Sequence, residues 1–177
     1  IMASISHRPP DHFTRDPMAV MEGPFYVGLL SNLTVAGWFA AAGACWLIAA
    51  VVASSPVDGG RAAAIMAVAG LITLLGHDDV FMIHEEILQR ILGVPERITL
   101  SAYGILALGI VMSFREPLRT TPWRLIIPVC ACFAASVTID QLTTGFNWRP
   151  VAEDGLKFVG VMGLLAYVIA TGCEWLH

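Results

Sequence analysis

Six ionisable side chains fall within the short segment 77–86 of this chain. They are His77, Asp78, Asp79, His84, Glu85 and Glu86. The segment follows an apolar stretch, beginning near Ala62, that could dissolve in lipid, whereas these side chains could not. Imidazoles and carboxylates together suit Zn²⁺, Fe²⁺ or Mn²⁺, and they also serve as general acids and bases. The segment is therefore the first candidate for a functional site.

Two later parts of the sequence place polar groups at a similar depth. Asp140 directly follows an apolar run, and Glu153, Asp154 and Lys157 occupy the first turns of the last apolar segment. Helix rise puts Asp78 and Asp140 a few ångströms, roughly one turn, inside the same membrane boundary. We therefore expect the chain to bring these groups together.

Helical spacing assigns roles within this group. His77 and His84 are seven residues apart and so share a helix face, as do Asp78 and Glu85. We predict a divalent metal ion held by His77, Asp78, His84 and Asp140, with Glu85 as the general base for a metal-bound water. The remaining members form a surrounding structural or proton-handling cluster: Asp79, Glu86, Glu153, Asp154 and Lys157.

Simpler explanations of the same residues stay open. The acids of segment 77–86 could lie at the membrane surface in contact with water. Glu153 and Asp154 could complement a helix N-terminus, and Lys157 could pair with either of them or with Asp140. The zinc-protease pattern that begins His84-Glu85 is absent, because Leu88 stands where its second His is required.

Composition predicts the fold class. Hydrophobic residues make up 56% of the 177 residues and charged residues only 14%, too few for the surface of a soluble domain. We predict an all-α polytopic transmembrane bundle (25–177) after a polar surface segment (1–24), with one long helix carrying the acidic and His cluster. The expected spans are 25–54, 61–92, 98–114, 122–145 and 150–175, or four spans if 98–114 does not cross.

Small residues and charges refine this topology. Ala36, Ala40 and Ala44, together with Gly37 and Ala41, predict a face for close helix packing. The Arg-containing loop near 115–124 predicts a cytoplasmic side, so the N-terminus and the acidic cluster would face the periplasm of a bacterial inner membrane. A net charge of −4 without any basic run argues against nucleic acid as a partner.

Two motifs resemble those of an uncharacterised bacterial multi-pass membrane protein family. They are Asp78-Asp79-x-Phe-x-x-His84-Glu85 and Glu153-Asp154-x-x-Lys157-Phe-x-Gly, with Val137-Thr-Ile-Asp140 between them. The resemblance covers about 61–175 and implies no particular activity. Intramembrane metal hydrolases of the ceramidase and adiponectin-receptor type also use helix-borne Asp and His, but their His-x-x-x-His pair has no counterpart here.

Three functions fit the sequence. The first is an accessory subunit of a larger membrane complex, energy-transducing, photosynthetic or respiratory, which contacts lipids and other subunits and uses the cluster to fix helix register or hold a cation. The second is a metal-dependent intramembrane lipid hydrolase. The third is proton or cation handling along Asp78, Glu85, Asp140 and Lys157.

Overall fold

The structure is a computed structural model that describes residues 22, 24, 26–54, 59–142 and 148–176. The predicted surface segment 1–24 lies almost entirely outside these residues. The described α-helices are α1 (Leu29–Ala53), α2 (Gly59–Phe81), α3 (Glu96–Ser113), α4 (Arg115–Arg119), α5 (Ile126–Leu142) and α6 (Arg149–Leu176). A π-helix (Ile83–Ile91) follows α2, and a 3-10 turn (Trp123–Leu125) precedes α5.

Five helical segments are long and apolar enough to cross a membrane. They are Leu29–Ala53, Gly59–Phe81, Glu96–Ser113, Trp123–Gln141 and Arg149–Leu176. No strand occurs in the described parts of the chain. The all-α, multi-span fold class predicted from composition is thus confirmed, and the third segment has the length and hydropathy of a span.

Close contacts at glycines hold the central helices together. α1 packs against α2 and α6, and α5 packs against α6. A Cβ at Gly37 would lie 2.8 Å from the Val161 side chain, and one at Gly160 would lie 3.1 Å from Phe133. Helices approach this closely only where a side chain is missing. The bundle therefore depends on these glycines for its geometry.

The two predicted small-residue rows of α1 differ in how far they are buried. Gly37 and Ala41 are buried, as expected, but Ala36 and Ala40 are exposed. The two rows lie on different sides of the helix, and α2 and α6 cover the side that carries Gly37. The Gly37 row is therefore a packing face, whereas the alanine row packs against the core only at Ala44.

The third span, α3, lies at the edge of the bundle. Thr99 is its only buried residue. It packs on α2, α4 and the π-helix, while its apolar side chains, such as Ile105 and Leu108, are exposed. This peripheral position leaves a space between α3 and α5 on the side that faces into the bundle.

The segment predicted as one helix over 61–92 is interrupted at Met82, where the α-helix ends and a π-helix follows. Met82 has a left-handed backbone, with φ 46° and ψ 46°, between the end of α2 and the start of the π-helix. Such a backbone costs a non-glycine residue about 1–3 kcal/mol, and π-helical turns are frequent at functional sites. Gly93, at φ 71°, follows the π-helix, and Pro95 precedes α3.

Candidate functional site

The Asp78 carboxylate stabilises the junction between α2 and the π-helix. Asp78 is 5% exposed, and its Oδ1 accepts a hydrogen bond of 3.0 Å from the backbone N–H of His84. That N–H belongs to the first turn of the π-helix, where a backbone donor needs a partner outside the helix. This hydrogen bond offsets part of the cost of the strained backbone at Met82 and stabilises the start of the π-helix.

Asp78 also holds the His84 ring in place. Nδ1 of His84 lies 2.5 Å from Oδ2 of Asp78, and the hydroxyl of Tyr103 in α3 donates a hydrogen bond of 2.8 Å to Oδ1. Nε2 of His84 remains on the other side of the ring, 3.4 Å from Glu85 Oε1 and 3.9 Å from Glu96 Oε1. One carboxylate thus joins α2, the π-helix and α3.

This arrangement determines the charge of His84 and Glu85. The hydrogen bond to the Asp78 carboxylate, with a further contribution from Glu85, raises the pKa of His84 from 6.5 to about 10. The hydrogen bond with His84 in turn lowers the pKa of Glu85. At neutral pH the pair is an imidazolium beside a carboxylate. His84 therefore presents an N–H donor, and it is an acid rather than a base.

Two further ion pairs connect α6 to α2 and to α5. Lys157 Nζ in α6 lies 3.1 Å from Asp79 Oδ1 in α2, and both side chains are largely buried. Arg149 at the start of α6 donates to the carboxylate and the backbone carbonyl of Asp140 in α5. The alternatives raised by the sequence placed the partner of Lys157 at Glu153, Asp154 or Asp140, whereas its ion pair is with Asp79.

A cavity of about 320 Å³ lies against these side chains, bounded by α1, α2, α3, α5, α6 and the start of the π-helix. We call it the interhelical cavity. Its apolar wall contains Trp38 and Phe133, whose rings stack at 5.5 Å, together with Leu75, Leu100 and Val137. Its polar end is lined by Asp78, Asp79, His84, Glu85, Glu96, Tyr103, Ser136, Asp140, Glu153 and Lys157. An apolar wall with a charged end is the shape of a site for an amphiphile.

A second, more polar cavity adjoins the charged end. It has a volume of about 460 Å³ and shares Glu85, Glu96, Asp140 and Glu153 with the interhelical cavity. Gln89 and Arg90 of the π-helix complete its lining. Each of the four shared carboxylates therefore borders both cavities.

Three of the residues singled out from the sequence lie away from the interhelical cavity. His77 is exposed, with its Nδ1 2.7 Å from the Thr73 carbonyl oxygen and its ring near Phe39 and Phe81. Glu86 pairs with Arg90 at 2.6 Å. Asp154 is half-buried and lines neither cavity. The other seven line the cavity: Asp78, Asp79, His84, Glu85, Asp140, Glu153 and Lys157.

Three ionisable residues of the site were not among those predicted from the sequence. Tyr103 and Glu96 belong to α3, and Arg149 begins α6. The position of Glu96, at the start of a span beside the acidic segment, was a signal that could have found it. Tyr103 had no such signal, because a tyrosine within an apolar span is common in membrane proteins.

The predicted divalent metal ion stays a prediction. In the described ranges, no three His, Cys, Asp or Glu side chains come together in a way that could hold a metal ion. His77 does not line the cavity that Asp140 lines, and the Asp78 oxygens already accept hydrogen bonds from His84 and Tyr103. A metal ion at this site would have to use Nε2 of His84 after it loses its proton.

Comparison with known proteins identifies a family but no activity. A family model described as a domain of unknown function (DUF8692) matches residues 1–171, and the chain belongs to that family. No curated protein and no solved structure matches the chain.

Proposed function

We propose that this member of the DUF8692 family is a membrane protein that binds an amphiphilic molecule in its interhelical cavity. One observation carries the proposal: the cavity joins an aromatic wall at the depth of the spans to a charged end where the acidic segment leaves α2. A soluble polar ligand would leave the aromatic wall unused, and a plain hydrocarbon would leave the charged end unused.

The position of α3 supports entry from the membrane. Leu100, Tyr103, Gly104 and Ala107 of α3 form one side of the cavity, and the opposite face of the helix is exposed. α3 has the least buried surface of the five spans. A small movement of this helix would therefore open the cavity toward lipid without breaking the packing of α1, α2, α5 and α6.

The charged end is held in a fixed geometry before any ligand binds. The Asp78–His84 pair, the Asp79–Lys157 pair and the Asp140–Arg149 pair together connect four helical segments: α2, the π-helix, α5 and α6. Binding sites gain affinity when their polar groups are already ordered, because less entropy is lost on binding. This order supports a recognition role for the cluster in addition to its role in stability.

A bulky side chain in the cavity tests the proposal. Gly104 lines the cavity, whereas Gly109 lies on the same helix and does not, and an added Cβ at either position meets nothing within 4 Å. Amphiphiles extracted from purified wild-type protein and identified by mass spectrometry should be retained in Gly109→Trp and reduced several-fold in Gly104→Trp. Equal amounts in all three proteins would refute the proposal.

An accessory-subunit role is a second candidate, favoured by the same exposed face of α3. A helix from another subunit could cover Ile105 and Leu108, which are 71% and 61% exposed. The particle released from native membranes by mild detergent would then contain further subunits. A particle made only of this chain, lipid and detergent would exclude that role.

Lipid hydrolysis would use the same cavity, but the charge states favour it less. A general base works best with a pKa near the working pH. Glu85 has a lowered pKa and His84 a raised one, so neither suits that role at neutral pH.

We also propose that the charged end faces the periplasm of a bacterial inner membrane. The support is that Arg115, Arg119 and Arg124 are exposed near the opposite end of the bundle, as cytoplasmic arginines are. An impermeant thiol reagent should then label a cysteine introduced at Gln89 in intact cells. Labelling only after lysis would place the charged end on the cytoplasmic side and contradict the proposed orientation.

A further inference from the structure

Carboxylates outnumber cationic groups at the charged end of the interhelical cavity. Six carboxylates line it: Asp78, Asp79, Glu85, Glu96, Asp140 and Glu153. His84 and Lys157 are the cationic side chains in the lining, and Arg149 pairs with Asp140 from outside it. After these three pairs, three of the carboxylates have no cation of their own among the residues that the structure describes.

Those three carboxylates all border open space. Glu85 and Glu96 share one His84 imidazolium, at 3.4 Å and 3.9 Å from Nε2. Glu153 has no ion pair within 4 Å among the described residues, and it lines both cavities. Carboxylates gathered in a region of low dielectric repel one another unless a positive charge is added. The cavity therefore favours a cationic occupant and disfavours an anionic one.

Two residues that line the cavity each carry a buried polar atom without a partner in the described structure. Nε1 of Trp38, a residue only 5% exposed, has no hydrogen-bond acceptor in the described structure, and Oδ2 of Asp79 has no donor. Both residues line the cavity. The Trp38 side chain packs on Gly76, which precedes Asp79 by about one turn of α2. Such atoms are costly to leave unpaired, so a ligand that offers a donor and a neighbouring acceptor would satisfy both.

We infer, on the basis of the proposed function, that the occupant is a long-chain amine. Its ammonium group would lie among Asp79, Glu153 and Glu85, an adjacent hydroxyl or carbonyl oxygen would accept from Trp38, and its chain would lie along the stacked rings of Trp38 and Phe133. An inorganic cation meets the charge requirement alone and leaves the aromatic wall and the indole N–H without a partner.

The test compares probes that differ only in their headgroup. Tetradecylamine, tetradecanol and tetradecanoate are titrated separately into purified full-length protein in a nonionic detergent at neutral pH, where the amine is cationic. We expect the amine to bind at least about tenfold more tightly than the alcohol, and the carboxylate to bind most weakly; a tenfold ratio corresponds to about 1.4 kcal/mol.

A charge-removing variant and its control locate the preference. Glu153→Gln should remove most of the difference between amine and alcohol, because Glu153 lines both cavities and has no ion pair within the described part of the chain. Glu116→Gln in α4, an exposed acid outside the lining of both cavities, should leave the difference unchanged. Thermal unfolding of each variant shows whether it is folded, and the measured quantity is the ratio between two probes on the same protein, which a general loss of folded protein does not alter.

The outcomes separate this inference from the proposed function. Equal binding of amine and alcohol, abolished for both by Gly104→Trp, would overturn the amine preference and leave amphiphile binding standing. Binding of no probe, or binding that Gly104→Trp does not affect, would overturn the proposed function as well. Saturable binding of Ca²⁺ or Zn²⁺ alone, together with no preference for the amine, would assign the carboxylates to an inorganic cation.

Discussion

Replacement of Asp78 by Asn should return the His84 imidazole to an ordinary pKa. The wild-type value of about 10 lies well above the ordinary 6.5. At 1.36 kcal/mol per pH unit, the charged form of His84 is stabilised in the folded protein by at most about 5 kcal/mol. The Asp78 hydrogen bond is the largest contribution, and Glu85 is 52% exposed, so water screens its smaller part. Asn keeps the size of the side chain and removes its charge, so we expect the variant pKa to fall to about 6–8.

The same change should alter how stability depends on pH. A histidine whose pKa is higher in the folded protein adds stability that is complete below its unfolded pKa, near 6.5, and is lost as the pH rises through its folded value of about 10. The wild-type unfolding free energy should therefore fall across this interval, by several kcal/mol at most. In Asp78→Asn the histidine contribution should be small throughout, and stability at neutral pH should be lower.

Histidine-selective ¹⁵N NMR in micelles measures the pKa directly, with His84→Gln to assign the signal. Thermal unfolding at intervals between pH 6.5 and 10 measures the linked stability. If wild-type His84 titrates between about 6 and 7, or if Asp78→Asn leaves its titration unchanged, the described contact does not control the charge of the ring. The Asp78–His84 explanation of the site would then be wrong.

Two further predictions concern the bundle. Lys157→Gln should destabilise the protein by about 3–5 kcal/mol, because it leaves the largely buried Asp79 carboxylate without its partner. The double variant with Asp79→Asn should recover much of this loss. Additive losses of stability in the double-mutant cycle would argue against an interaction between the two side chains. Gly37→Ala should cost about 1–3 kcal/mol, because its Cβ would lie 2.8 Å from Val161, whereas Gly43→Ala on the same helix meets nothing within 4 Å and should be neutral or stabilising in the same unfolding assay.

The spans could be predicted because a membrane imposes long apolar runs, and five such runs stand in the sequence. Helix rise also gave the depth of Asp78 and Asp140 without any knowledge of packing. Both residues line the interhelical cavity, together with Glu153 and Lys157 from the last span. The depth of a residue along a helix depends on the sequence of that helix alone, so it could be predicted without knowing how the helices pack.

The direction in which side chains point was harder to predict. His77 and His84 share a face only if a regular helix connects them, and the left-handed Met82 and the π-helix interrupt that periodicity. No glycine or proline marks the interruption. His84 consequently lines the cavity while His77 contacts Phe39 and Phe81. Ion-pair partners such as Arg149 and Asp140 depend on how separate helices pack, which the sequence of either helix does not contain.

The pairing of Asp79 with Lys157 has a consequence for biogenesis. The two residues are 78 positions apart in the chain. At a synthesis rate of about 5–20 residues per second, the ribosome needs roughly 4–16 s to add Lys157 after Asp79. During that interval the second span carries an acidic residue whose cationic partner has not yet been synthesised, so Asp79 must stay in water or be sheltered by the insertion machinery. A stalled or truncated chain that lacks the last span would keep this defect, which gives membrane proteases a means to distinguish it from the finished protein.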